Sequence, residues 1–146
     1  MKRTLTFTLV LILTFLIAAS AVAETKPFAF YELSNGGGAY MITATKAGGS
    51  AYSATFYVTC TRSVVINGVT YYSNLEGGDK VEFQVFNANQ VLVTDTSRRP
   101  VCTLYDKTEM GYYTEDVPAN VQYYIAARMH AESAHTKKNV VGRWTP

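Results

Sequence analysis

Residues 52–60 of the chain read Tyr52-Ser53-Ala54-Thr55-Phe56-Tyr57-Val58-Thr59-Cys60. The even positions are apolar or aromatic, and the positions between them carry hydroxyl groups. Because successive side chains of a β-strand point to opposite faces, this period of two predicts a strand with one buried face. The same pattern places Cys60 on the buried face.

A second long strand is predicted at residues 121–131, where a helix is the competing interpretation. The Ala, Arg, Met and Glu content of this segment favours a helix. Every odd position from Val121 to Ala131 is apolar or aromatic, however, whereas a helical face would carry Arg128 and Glu132. The periodicity therefore favours a strand.

Turn signals divide the rest of the chain into short segments. Asn67-Gly68 separates Val64–Ile66 from Val69–Tyr72, and this dipeptide favours a two-residue hairpin turn. Further turns are predicted at residues 34–38, 77–79, 87–90 and 97–100, which are rich in Gly, Asn, Ser and Pro. About eight short strands without a clear helix predict an all-β antiparallel β-sandwich or a small barrel, and we favour the β-sandwich.

One segment carries a resemblance to known domains. Residues 116–120 read Asp-Val-Pro-Ala-Asn and lead into a strand that bears Tyr123 and Tyr124. About fifteen residues here resemble the corner before a late strand of immunoglobulin-like and fibronectin type III-like domains. The resemblance implies an immunoglobulin-like sandwich architecture. It does not extend to family membership, because the one tryptophan, Trp144, does not lie between the cysteines.

The first 23 residues have the pattern of a secretory signal peptide. Lys2 and Arg3 precede an apolar run from Leu9 to Ala19, and Ala21-Val22-Ala23 has the small residues that signal peptidase recognises. We therefore expect a single domain at residues 24–146 that is secreted, into the extracellular space or the periplasm, by a bacterium. No later segment is long and apolar enough to predict stable membrane insertion after cleavage.

The charge balance argues against nucleic acid as a partner. The chain has 13 basic and 11 acidic residues, and two of the basic residues lie in the predicted signal peptide. The remaining domain is neutral, so it would exert no long-range attraction on a phosphate backbone.

The two cysteines are predicted to form a disulfide. Cys60 and Cys102 each occupy a position that alternation assigns to the core, and a lone pair in an exported domain is most often oxidised. Two free buried thiols are the alternative.

Catalytic patterns are sparse, and we expect neither a cofactor nor an enzyme. The alternative is a small metal-dependent enzyme or effector that uses His130, Glu132 and His135, although this spacing differs from that of the zinc-protease helix. Glu109, Glu115 and nearby Asp116 could also supply a carboxylate pair for glycoside hydrolysis, but a hydrophilic loop explains them as well. No nucleophile motif accompanies either histidine.

Tyrosine is the unusual feature of the composition, with eleven residues that include three adjacent pairs. In a strand each pair puts one ring inside and one outside, and we expect Tyr72, Tyr113 and Tyr124 to bind a ligand. Outward rings could bind a glycan or a protein partner at a cell surface, or simply pack across strands. A secreted binding module is therefore the first hypothesis. A secreted toxin or antimicrobial factor is a third, although no cationic amphipathic segment supports it.

The segment from Val140 to Pro146 is predicted to be a last edge strand. Trp144 near its end is expected to cap the core, because a large aromatic side chain close to a terminus usually fixes that terminus in place.

Overall fold

The structure, a computed structural model, describes residues 24–35, 42–45, 52–118 and 121–146. The predicted signal peptide at residues 1–23 and the glycines at 36–38 lie outside the described residues. Within the described part, no helix is long and apolar enough to cross a membrane.

The described residues form strands and turns throughout, which confirms the all-β prediction. The period of two correctly assigned the two long strands at 52–61 and 122–129. The strands are β1 (Lys26–Ser34), β2 (Ile42–Thr45), β3 (Tyr52–Thr61), β4 (Ser63–Ile66), β5 (Val69–Tyr72), β6 (Val81–Asn87), β7 (Val101–Cys102), β8 (Thr108–Pro118), β9 (Gln122–Met129) and β10 (Lys137–Thr145).

Two four-stranded antiparallel sheets pack as a sandwich. Sheet I has the order β1-β10-β3-β8, sheet II has the order β2-β9-β6-β7, and β4 and β5 form a separate hairpin. The antiparallel β-sandwich is therefore confirmed. With the hairpin set aside, the first strand pairs with the last and the second with the last but one, which is the strand order of a jelly roll. In an immunoglobulin sandwich the first two strands are neighbours in one sheet, whereas here β1 and β2 lie in different sheets. The strand order therefore differs from that of an immunoglobulin sandwich, while the predicted sandwich architecture stands.

The core lies between the two sheets and is rich in aromatic side chains. The ring of Phe28 packs 5.3 Å from that of Phe30 and 5.4 Å from that of Phe83, centroid to centroid. Phe56 and Ile125 are also completely buried. Each such side chain contributes about 1.5–3 kcal/mol relative to an exposed position.

Strand β10 lies in the middle of sheet I, between β1 and β3, and not at an edge as its place in the sequence suggested. The backbones approach closely there: a Cβ atom on Gly142 would lie 2.1 Å from the backbone oxygen of Thr59. Trp144 is on the inner face and 1% exposed, so the prediction that it caps the core is confirmed. Arg143 consequently points outward.

Cys60 and Cys102 meet in the core, but the predicted disulfide is wrong. The side chains of the two cysteines are 3.3 Å apart, and both are free, fully buried thiols. That separation is well above the length of an S–S bond, about 2.05 Å. The sequence pattern placed both cysteines on core faces correctly, but it could not set the final distance between them. The hydrogen bond with Cys102 and the burial of the site raise the pKa of the Cys60 thiol.

Candidate functional site

The outer face of sheet I follows directly from the alternation of β3. The even residues of this strand, such as Phe56 and Val58, are buried, so Tyr57 and Thr59 point away from the core. In β10 the buried residues next to Arg143 are Gly142 and Trp144, which puts Arg143 on the same outer face. A stretch that forms the core on one side thus supplies a polar surface on the other.

Eight of these outward residues and their neighbours line one open depression, which we call the hydroxyl face. It encloses about 350 Å³. Six of its side chains are aliphatic hydroxyls, one is a phenol and one is a guanidinium. The lining residues are Thr25, Tyr57, Thr59, Thr61, Ser63, Thr108, Arg143 and Thr145.

Strand register arranges these side chains in two rows across the sheet. In one row Arg143 is opposite Thr59, which is in turn opposite Thr108. In the next row Tyr57 is opposite Thr145 on one side. Hydrogen bonds hold the rows: the Oγ1 atoms of Thr59 and Thr108 are 2.8 Å apart, and so are those of Thr25 and Thr145. The hydroxyl face is therefore an ordered array built on the adjacent strands β8, β3 and β10, with Thr25 before β1 and Ser63 of β4 beside them.

The electrostatics of the hydroxyl face are set by one positive charge. In the described part of the chain, no carboxylate oxygen lies within 4.0 Å of the Arg143 guanidinium, and no carboxylate lines the depression. The outer face of sheet II differs, because there the buried Glu82 is paired with both Arg99 and Arg128. Burial raises the pKa of Glu82, but its bonds to the two arginines outweigh this and lower the pKa below the usual value.

The chemistry of the hydroxyl face suits binding. Each hydroxyl can donate one hydrogen bond and accept two, as sugar hydroxyls also do. The Tyr57 ring is 43% exposed and offers a flat apolar surface. Among the described residues, the lining includes no imidazole, thiol or carboxylate that could act as a general base.

The structure places the three predicted tyrosines in three separate regions. Tyr72 lies on the hairpin and is 64% exposed, and Tyr124 is half-buried on the outer face of sheet II. Tyr113 is in the core at 2% exposure, so its predicted role on an outer platform was wrong. Its neighbour Tyr112 faces outward instead, because Phe56 packs over Gly111 and so fixes which side of β8 is inward.

The proposed metal ligands do not converge. Glu132 accepts a hydrogen bond from Lys80 Nζ at 2.8 Å, and its backbone N–H donates to His130 Nδ1 at 3.2 Å. His135 instead contacts the carboxylate of Asp79. Among the residues that the structure describes, no three His, Cys, Asp or Glu side chains are grouped to hold a metal ion. The metal-dependent alternative is therefore wrong for this trio.

Asp79 is the buried centre of a partly exposed polar cluster that links two loops. Its carboxylate accepts a hydrogen bond from the Glu76 backbone N–H at 2.8 Å, lies 2.8 Å from His135 Nδ1 and is 3.5 Å from Lys138 Nζ. Burial raises the pKa of Asp79, but these hydrogen bonds and the charge of Lys138 outweigh it and lower the pKa below its usual value. Ser133 Oγ contacts the same carboxylate at 3.4 Å. Because that bond goes to the carboxylate and not to the imidazole, the cluster is not a nucleophile–base pair.

Sequence reasoning missed the residues of the hydroxyl face, although part of the signal was present. The stretch that decided the fold already shows Tyr57 and Thr59 on the side opposite the core. Nothing in the sequence showed that Arg143 would stand beside them, because that depends on β10 entering the middle of sheet I.

Comparison with known proteins adds little to this geometry. No family model matches the chain, and no curated protein matches it. One solved structure with some similarity is the "EclA C-terminal domain; sugar-binding protein". It is 17% identical, the alignment covers 84% of this chain and 78% of that chain, and the TM-score is 0.36. A likeness at that level carries no argument about the present chain.

Proposed function

We propose that this chain is an exported, non-catalytic binding module whose hydroxyl face binds a glycan. The observation that supports this is the open depression of about 350 Å³ in which six aliphatic hydroxyls surround the exposed ring of Tyr57. Jelly rolls are a common scaffold of lectin domains, but the fold alone does not specify a function. The proposal therefore rests on the site.

Binding at this face would combine stacking with hydrogen bonding. The Tyr57 ring would lie under the C–H face of a sugar ring, and the hydroxyls of Thr59 and Thr108 would bond to its hydroxyl groups. Because these side chains extend from paired strands, the array is held in position before a ligand arrives, which reduces the entropy cost of binding.

A protein partner is the second candidate, and the β4–β5 hairpin favours it. Val65, Val69 and Tyr72 are 60%, 52% and 64% exposed on this hairpin. Exposed apolar residues grouped on one element are typical of a protein contact. Ligand binding by Tyr72 on this hairpin, and by Tyr124 on the outer face of sheet II, stays a prediction.

The experiment that separates these candidates is a depletion assay. The purified protein is mixed with insoluble polysaccharides, peptidoglycan and intact cells, and the unbound fraction is measured. We expect retention by at least one glycan, and we expect Tyr57→Ala to weaken it roughly tenfold, as for a tyrosine hot spot worth about 1.4 kcal/mol.

Tyr72→Ala is the matched control, because it removes another exposed tyrosine ring, on the hairpin and outside the hydroxyl face. Glycan retention that is lost in Tyr72→Ala but kept in Tyr57→Ala would move the site to the hairpin. An absence of retention by every glycan tested would reject the proposal.

A further inference from the structure

We infer that the hydroxyl face selects acidic glycans, in which a sugar carries a carboxylate, and that Arg143 is the residue that selects them. This inference rests on the proposed function and names its ligand class. It starts from the exposed Arg143 guanidinium, which lies among neutral hydroxyls and, in the described part of the chain, has no carboxylate oxygen within 4.0 Å.

Arg143 differs in this respect from the other arginines that the structure describes. Arg98 pairs with Asp95, and Arg99 and Arg128 both pair with Glu82. The remaining one, Arg62, stacks its guanidinium 4.8 Å above the ring of Tyr105. Within the described ranges, Arg143 has neither a carboxylate nor an aromatic ring as a partner, so its five N–H donors are available to a ligand.

The position of Arg143 is held by the fold. Its neighbours Gly142 and Trp144 are buried, and its strand is bonded on both sides. The residues opposite it in register, Pro27 on β1 and Thr59 on β3, carry no charge. The guanidinium therefore extends from a rigid element, as selective sites require.

The spacing allows one sugar to reach both Tyr57 and Arg143. Arg143 is opposite Thr59, and Tyr57 lies two residues further along β3, so the two are diagonal neighbours. Diagonal positions in an antiparallel pair are about 7–8 Å apart. A sugar ring stacked on Tyr57 can thus place a carboxylate over the planar fork of the guanidinium, which bonds such a group through two parallel N–H donors.

The contribution of Arg143 should be selectivity more than overall affinity. A neutral sugar can use the hydroxyls and the ring alone, whereas an acidic sugar adds a charge-assisted hydrogen bond, which is roughly twice as strong as a neutral one. Since the site is open to water, we expect a preference of about fivefold for the acidic form at low salt. The preference should decline as salt screens the charges.

The test compares two polymers that share a backbone, polygalacturonate and its methyl ester. We expect the wild-type protein to bind the acid about fivefold more tightly, Arg143→Gln to bind both polymers equally, and Arg143→Lys to keep part of the preference. Arg128→Gln is the matched control, because it removes the same charge from the outer face of sheet II. Melting temperatures of all variants confirm that each one is folded.

The outcomes separate this inference from the proposed function. Equal binding of the two polymers by the wild type, or an unchanged preference in Arg143→Gln, overturns the inference and leaves the glycan-binding function standing. Retention of dextran sulfate as strong as that of polygalacturonate would show that any anionic group suffices, and would overturn the carboxylate assignment. If no glycan is retained at all, the proposed function itself fails, and the inference fails with it.

Discussion

Substituting Gly142 by alanine tests the packing that presents the hydroxyl face. A Cβ atom at this position would lie 2.1 Å from the backbone oxygen of Thr59, 2.7 Å from the Cζ of Phe28 and 3.0 Å from the Cα of Cys60. Ordinary contacts begin near 3.4 Å. Two of the three atoms belong to the backbone of β3, so no side-chain rotation relieves the clash.

The expected cost is at the upper end of the range for overpacking. Extra methyl groups in a packed interior typically destabilise by about 1–3 kcal/mol, and here two paired strands must separate, so we expect about 3 kcal/mol for Gly142→Ala. For a domain of this size the melting temperature should fall by roughly 10 °C.

Thermal and urea unfolding of the variant, followed by circular dichroism, measure this loss. Gly77→Ala is the control, because nothing lies within 4 Å of a Cβ atom there, and its stability should stay within about 0.5 kcal/mol of the wild type. If Gly142→Ala proves as stable as Gly77→Ala, the register of β10 against β3 is wrong. A one-residue slip would exchange the faces of Arg143 and Trp144 and remove the basis of the proposed site.

Three further outcomes are expected. Because the folded-state pKa of Asp79 is lowered from its usual 3.8, its charge stabilises the fold above that pH. The urea concentration at the unfolding midpoint of the wild type should then decrease as the pH is lowered below about 4. The midpoint of Asp79→Asn should vary less over the same pH range. Burial and the raised pKa of Cys60 should keep iodoacetamide from labelling either cysteine in the native protein, whereas mass spectrometry should find both labelled in denaturant. The absence of both labels in denaturant without reductant would show a disulfide and contradict the free thiols. Trp144→Ala should lower the free energy of unfolding by about 3–5 kcal/mol in urea, and a loss below 1 kcal/mol would contradict its core position.

Much of the fold could be predicted because strand alternation is a local property. The residues from Tyr52 to Cys60 show their two faces without reference to any other part of the chain. Which side chains of β8 face the core could not be predicted from alternation alone, because Met110 and Tyr112 are also plausible core residues. The structure turns them outward because Phe56 occupies the space above Gly111.

The candidate site was less predictable, because it depends on contacts between distant parts of the sequence. Arg143 meets Thr59 only after β10 has entered between β1 and β3. The absence of a counter-charge near Arg143, within the described residues, is likewise a property of the whole arrangement. Composition and spacing carry no information about which strands will be neighbours.

The central place of β10 also sets an order of events for folding. Without residues 137–145, β1 has no hydrogen-bonded neighbour in sheet I, and β3 keeps only its pairing with β8. Contacts between such remote segments form slowly, because a long loop must close before they gain any stability. A chain whose last strand has not yet been synthesised would thus have an incomplete sheet I. Since the strand that completes sheet I also presents Arg143, the proposed site on the hydroxyl face exists only in a molecule that has finished folding.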